Sequence, residues 1–146
     1  MKALSIRQPW AWLVAAVNKD IENRTWRTSY RGPLLIHASA GMTRQEYEDA
    51  FQFALEAGGI QLAHRMPGVK ELERGAIIGL ADLFDVVSPS RRASPWHIEG
   101  CYGLAVRNAR QLPFIPYTGR LGIFDVPDEI LRLDGRTHDE FLRGEA

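Results

Sequence analysis

Short apolar runs alternate with polar connectors along this chain, and the period of each run predicts an element. Residues 3–6 (Ala-Leu-Ser-Ile) read as a short strand. Pro9 then falls at the start of a helix, where its missing N–H leaves no bond unmade. Trp10 to Val17 is apolar on every side, so this short helix is expected to be buried, plugging an end of a barrel. Residues 21–26 have strand character, Gly32-Pro33 is a turn, and residues 34–38 read as a buried strand. Thr43 and Glu46 have the spacing of a capping box. The helix behind it carries Tyr47, Ala50, Phe51, Ala54 and Leu55 on one face, and Gly58-Gly59 stops it. Glu46, Glu48, Asp49 and Glu56 lie on its exposed side, as in an amphipathic helix packed on a sheet.

Residues 60–74 read as a loop with a helical turn near 69–73. Ala76 to Val87 is the clearest long strand, with Ile78, Leu80, Phe84 and Val86 expected on one face and Asp82 interrupting it. Residues 88–95 form a loop carrying Arg91-Arg92. Tyr102, Leu104 and Val106 alternate in the next strand, residues 111–118 are Pro-interrupted, and residues 121–126 give a last strand. From Pro127 onward the pattern is helical, and Thr137 to Glu140 repeats the capping-box spacing before a C-terminal turn. About six strands, mostly without helices between them, predict an α+β fold: a mixed or antiparallel β-barrel with peripheral helices.

At 146 residues the chain fits one domain over 1–146, with 128–146 as a C-terminal helical extension. The single cysteine, Cys101, cannot form an internal disulfide, which points to a reducing, cytoplasmic setting. Arg7, Gln8 and Pro9 interrupt the apolar N-terminal stretch, and no small-residue cleavage site follows, so a signal peptide is not expected. No run reaches the roughly 18 apolar residues of a membrane span, and no membrane partner is expected.

Net charge is zero, which excludes a globally basic nucleic-acid binder. The distribution is less even. Residues 1–44 carry seven Lys/Arg against two acids and 86–124 carry five against one, whereas 45–85 carry three against eight and 125–146 three against seven. If the two basic blocks meet in space they make a positive face suited to anions; otherwise the alternation neutralises itself over the surface. Fifteen of the eighteen cations are Arg, which suits phosphate forks and base stacking and equally a codon bias.

The densest chemistry is in residues 19–26. In an extended segment Glu22, Arg24 and Trp26 point to one side, with Lys19 at the entrance. Lys and Arg suit phosphate, Glu a base's amino edge, and Trp stacking. The same spacing also suits an exposed strand with a Lys19–Glu22 or Glu22–Arg24 ion pair and an indole covering an edge.

The spacing Lys19-x-x-Glu22-x-Arg24 resembles the signature of the ASCH domain, Gly-x-Lys-x-x-Glu-x-Arg, with Val17 in place of the glycine. The opening strand, the Gln8-Pro9-Trp10 helix start, the strand over residues 31–39 and the closing Gly122-Ile123-Phe124 are also similar to bacterial ASCH proteins, over roughly residues 1–127. The resemblance implies a PUA-like barrel whose cleft, lined by the signature's polar side chains, binds RNA or a modified nucleobase. On that basis Lys19, Glu22, Arg24, Trp26, His37, Ser39 and Trp96 are the expected ligand-binding residues, with RNA or a nucleotide-like molecule as partner.

Two family activities are implied as alternatives. One is single-stranded ribonuclease activity, with Glu22 as base and Lys19 as acid. The other is hydrolysis of acylated cytidine by a Lys and a Thr of the signature with a downstream acid. This chain carries Glu22 at the position of that Thr, and a carboxylate does not simply replace an attacking hydroxyl. Thr25 is adjacent but points the other way, and Asp82 is open to the acid's role or to an Arg partner.

A Ser39–His37 catalytic pair lacks a nucleophile-elbow context; His37 is instead expected as a polar contributor to the cleft. Trp96 and His97 follow the Arg91-Arg92 loop, which suits stacking on unpaired bases or an indole capping the barrel's end. His37, His64, His97 and His138 are scattered and show no zinc spacing, so no metal site and no cofactor are expected, magnesium remaining open for a nuclease.

Overall fold

The computed structural model describes residues 1–132 and residue 140. Strands β1 (Lys2–Ile6), β2 (Ile21–Arg24), β3 (Gly32–Ala38), β4 (Ala76–Val87), β5 (Tyr102–Pro116) and β6 (Ile123–Asp125) form a single sheet. Their order is β2-β5-β4-β3-β1-β6; β1 and β3 run parallel and every other neighbouring pair antiparallel. The sheet curls into a half-barrel accompanied by helices α1 (Trp10–Val17), α2 (Arg44–Gly58) and α3 (Ile60–Ala63), the α+β arrangement that the resemblance implies. A 3-10 turn, Asp128–Arg132, follows β6. The capping box expected at Thr137 lies outside the described residues.

Helix α1 buries Ala11, Leu13, Val14, Ala15 and Val17, as an all-apolar run requires. Its close approach to the sheet depends on Gly79: a β-carbon there would stand 2.7 Å from Ala15 Cβ and 3.0 Å from the Arg110 carbonyl oxygen. Where the signature has its glycine, Val17 is still helical, and the chain turns one residue later at Asn18, in the left-handed region with φ 60°. Asn tolerates that conformation. The Lys19 N–H closes the helix on the Leu13 carbonyl at 3.0 Å, and β2 starts two residues on.

The capping box of α2 forms as its spacing predicts. The Glu46 N–H donates to Thr43 Oγ1 at 3.1 Å, and Glu46 Oε1 accepts from the Thr43 N–H at 3.0 Å. Ala50 and Ala54 are fully buried, and Tyr47, Phe51 and Leu55 pack on a cluster with Leu13, Val17, Ile21 and Trp96. Helix α3 follows Gly59 directly, at the start of the stretch expected to be a loop, and a turn closes at Glu71 N–H to Gly68 O, 2.9 Å.

Strand β4 has the predicted bounds but not the predicted faces. Its register against β5 shifts between Ile77 and Gly79, Leu80 and Asp82, and Leu83 and Asp85. Each shift interrupts the period of two. Ile78, Ala81 and Leu83 therefore share one core cluster while Leu80 joins Ile77 in another, and Phe84 is 43% exposed. Strand β5 continues through Pro113 because that proline falls between the pairs Ile77–Ile115 and Gly79–Gln111, where the ladder is already broken.

Candidate ligand-binding site

The signature residues form one largely buried charged network that reaches from β2, at one edge of the sheet, to β1 near the other. Asn18 directs the chain so that the Lys19 side chain, 1% exposed, turns inward. Its ammonium donates to the Ile21 carbonyl and to Glu22 Oε1 at 3.3 Å, and lies 5.5 Å from the centre of the Trp10 ring. Burial pushes the Lys19 ammonium below its usual pKa, while Glu22 pulls it back up. On the other side of the carboxylate, Arg24 donates through Nε to Glu22 Oε2 at 3.1 Å and stands 5.9 Å from the Trp26 ring centre. Period two does place Glu22 and Arg24 together. A further Arg24 hydrogen bond, Nη2 to the Ser5 carbonyl at 2.7 Å, reaches from the edge strand β2 to β1, near the opposite edge. The alternation that makes Glu22 and Arg24 neighbours thus also aims them across the barrel.

Ser5 carries the network to a cavity of about 780 Å³ at the barrel mouth. Its hydroxyl lies 2.9 Å from His37 Nδ1, and His37 Nε2 lies 2.6 Å from the Tyr117 carbonyl. A carbonyl oxygen only accepts, so Nε2 carries the proton, and in the neutral ring Nδ1 is left to accept from the Ser5 hydroxyl. Gly119 closes over this pair; a β-carbon there would stand 2.7 Å from His37 Cε1. The remaining wall includes Arg7, Ser39, Thr118 and Arg120. Ser39 is set by its N–H bond to the Ile6 carbonyl at 3.0 Å.

Arg7 is held as a fork on Glu46, with Nη2 to Oε1 at 2.6 Å, and this keeps the Glu46 carboxyl at a pKa of about 2. The α2 capping box and the cavity wall therefore share one carboxylate. Two guanidinium groups, that of Arg7 already paired with Glu46, four hydroxyl-bearing residues (Ser5, Ser39, Tyr117 and Thr118) and one imidazole around a concave space of this size can bind a small anion-bearing ligand, and a serine hydroxyl bonded to a neutral imidazole can be polarised towards a nucleophile.

Of the expected site residues, His37 and Ser39 line the cavity. Lys19 and Glu22 are buried behind it, and Arg24, with Trp26 against its guanidinium, meets it through the Ser5 backbone. Trp96 lies apart from this cavity: it is 8% exposed and stacks on Phe53 of α2 at 5.8 Å between ring centres. Its neighbour His97 is likewise internal, accepting from the Ala93 N–H and bonding the Cys101 carbonyl. Asp82 accepts from Asn108 at 3.0 Å and is not part of the cavity wall. Among the described residues no three His, Cys, Asp or Glu side chains come together as metal ligands. No helix among them is long and apolar enough to cross a membrane.

Ser5, Arg7 and residues 117–120 also line the cavity, and the sequence marks them only faintly. Ser5 left one trace, a hydroxyl within an apolar strand; that it faces His37 follows from the parallel β1–β3 register, which pairs the two residues. Arg7 and Arg120 come from the two basic blocks of the chain, the only hint that they meet.

Residues 4–112 match the family model of the ASCH domain. Among curated proteins, activating signal cointegrator 1 of Homo sapiens is 32% identical over 91 residues, and that of Mus musculus 31% over 91 residues. In both cases the match covers 58% of this chain and 14% of the relative, so the chain spans a small part of those proteins' length. With its family model matched over most of its length and the signature folded into one network, the chain belongs to the ASCH domain family.

Proposed function

We propose that this ASCH domain, a single domain over residues 1–146, binds RNA or a nucleotide-sized ligand in the cavity at the barrel mouth. The observation that carries this reading is the cavity itself: about 780 Å³, walled by Arg7, Arg120, Ser5, Ser39 and His37. Its volume is that of a small-molecule site, and its donors suit a phosphate together with a heterocycle. In this reading the signature serves from behind. Lys19 and Glu22 fix Arg24, Arg24 fixes the Ser5 carbonyl, and Ser5 with His37 forms the floor that the ligand meets.

The test is calorimetric titration with the four nucleoside 5′-monophosphates, comparing the wild type with Arg120→Glu. Binding weakened several-fold by the reversal of an exposed charge supports the assignment. Unchanged binding, or none in the wild type, overturns it.

A hydrolytic second reading, ribonuclease or amidohydrolase, rests on one contact, the Ser5 hydroxyl on His37 Nδ1. In that reading His37 takes the proton assigned to Glu22 by the resemblance, because Glu22 and Lys19 do not line the cavity. A denaturing gel of single-stranded RNA, with and without magnesium, and a hydrolysis assay on an acylated nucleoside test it. Turnover that Ser5→Ala leaves intact would exclude this pair as its source.

A further inference from the structure

A second set of cavities lies at the far end of the sheet. Gly75, just before β4, lines the first cavity; Val86 and Ser88, at the other end of β4, are shared by two more, of about 450 Å³ and 650 Å³. Neither of these two shares a lining residue with the first cavity, so these are different sites.

The smaller of these two adjacent cavities presents Arg27 and Arg31, the larger Arg91 and Arg92, all exposed. They come from the two basic blocks of the sequence, which do meet here. The carboxylates in the same walls are Asp20 and Asp85. Asp20 accepts from Ser94 at 2.7 Å, and Asp85 stands 4.0 Å from Arg31. Arg92 donates to the carbonyls of His97 and Pro95, which orient it without cancelling its charge.

The second observation is Phe84. Pairing of β4 with β3 ends at Leu83–Gly32, and the β5 register jumps from Leu83 to Asp85. Phe84 is therefore the unpaired residue of a bulge, a device that re-aims a side chain. Phe84 lines the larger cavity and is 43% exposed, with the Arg107 guanidinium 4.5 Å from its ring centre. The loop that carries Arg91 is fixed in advance: Asn23 of β2 bonds the Trp96 carbonyl at 2.9 Å and the Ile98 N–H at 2.8 Å, and Trp96 itself is buried.

We propose that this groove is a binding track for a single-stranded polynucleotide, with phosphates on Arg27, Arg31 and Arg91 and an unpaired base stacked on Phe84. A phosphate track beside an exposed, guanidinium-backed ring is what unstacked strands use. A duplex keeps its bases stacked within itself and has none to offer Phe84. The proposal goes beyond the mouth-cavity reading and does not depend on it.

The test is fluorescence anisotropy of a labelled 12-nucleotide uridylate and its deoxy counterpart across a salt series. The variants are Arg27→Ala/Arg31→Ala/Arg91→Ala, Phe84→Ala, and a charge-matched control, Arg44→Ala/Arg65→Ala/Lys70→Ala. The groove triple is expected to flatten the log–log salt slope by about 2, at about 0.7 per phosphate on a single strand. Phe84→Ala is expected to weaken binding about five- to a hundredfold with the slope unchanged. Tighter binding of the uridylate than of its deoxy counterpart would identify RNA as the strand, and equal binding would assign the groove to either.

Equal losses in the groove and control triples would overturn the proposal. So would an unaffected Phe84→Ala, or poly-glutamate competing as well as the oligonucleotide, which would make this a surface for acidic protein. Nucleoside monophosphate binding, read separately through Arg120→Glu, bears on the mouth cavity alone, so failure of either site leaves the other measurable.

Discussion

Glu22→Gln separates a signature that acts from behind the site from one that meets the ligand. Glu22 is 8% exposed and holds two cations, Lys19 at 3.3 Å on one oxygen and Arg24 at 3.0 Å on the other. The amide keeps the shape but removes the charge, leaving the fully buried Lys19 ammonium with the Ile21 carbonyl and the Trp10 face. Breaking a buried pair in this way costs about 3–5 kcal/mol. Lys19→Met should cost less, about 1–2 kcal/mol. It removes the buried cation outright, leaves Glu22 paired with Arg24 through Oε2, and deprives the Ile21 carbonyl and Glu22 Oε1 of one donor each.

In urea, with a slope of about 2 kcal/mol/M, the midpoint should fall by roughly 1.5–2.5 M for Glu22→Gln and by no more than about 1 M for Lys19→Met. The Glu22→Gln deficit should also shrink as pH rises. The folded pKa of Lys19 already lies below its usual 10.5, and removing Glu22 lowers it further. The cost of burying the ammonium is full below the folded pKa and is relieved between that value and 10.5, where the unfolded chain still binds the proton and the folded chain does not. Lys19→Met costing more than Glu22→Gln, or a neutral Glu22→Gln, would refute the assignment of this carboxylate as the keystone of a buried network.

Two further perturbations probe the supports of the site. Gly79→Ala places a methyl 2.7 Å from Ala15 Cβ and 3.0 Å from a backbone carbonyl, so α1 must shift from the sheet; a loss of about 1–3 kcal/mol is expected by thermal or urea unfolding, and an unchanged midpoint would refute the close approach. Glu46 has its pKa depressed to about 2, chiefly by Arg7, so its contribution is present above the usual carboxylate pKa near 4.5 and lost as pH falls towards 2. Glu46→Gln should flatten that part of the acid limb of the stability curve, by a small amount because the pair is solvent-facing, and identical acid limbs would refute it.

What could be read from the sequence was what local chemistry decides. The capping box at Thr43, the all-apolar α1 and the bounds of β4 each depend on neighbours within a few positions, and each is found where its pattern predicts. The four-residue α3 is too short to show a period, and Pro113 hides the continuity of β5 because a proline marks an ending unless the ladder is already broken at that point. The faces of β4 depart from the alternating pattern for a related reason. A period of two holds only while pairing is regular, and three register shifts rotate Leu80 and Phe84 away from Ile78. The shift that defeats the pattern at Phe84 is also the one that sets its ring among arginines.

The site divides along the same line. The signature's spacing predicts that Lys19, Glu22 and Arg24 act together, and they do form one network, but spacing carries no information on depth. Depth is set by Asn18, which turns Lys19 under α1, and by β1, whose Ser5 carbonyl lies within reach of Arg24. The cavity wall is still less local: Ser5 meets His37 through a parallel register, and Arg7 and Arg120 converge from positions 113 residues apart. Only the block pattern of charge anticipates that convergence. Each cavity system takes its arginines from both basic blocks, Arg7 with Arg120 at the mouth and Arg27 and Arg31 with Arg91 and Arg92 at the far end. A chain with no net charge thus gathers arginines at two places, because the half-barrel brings like blocks together.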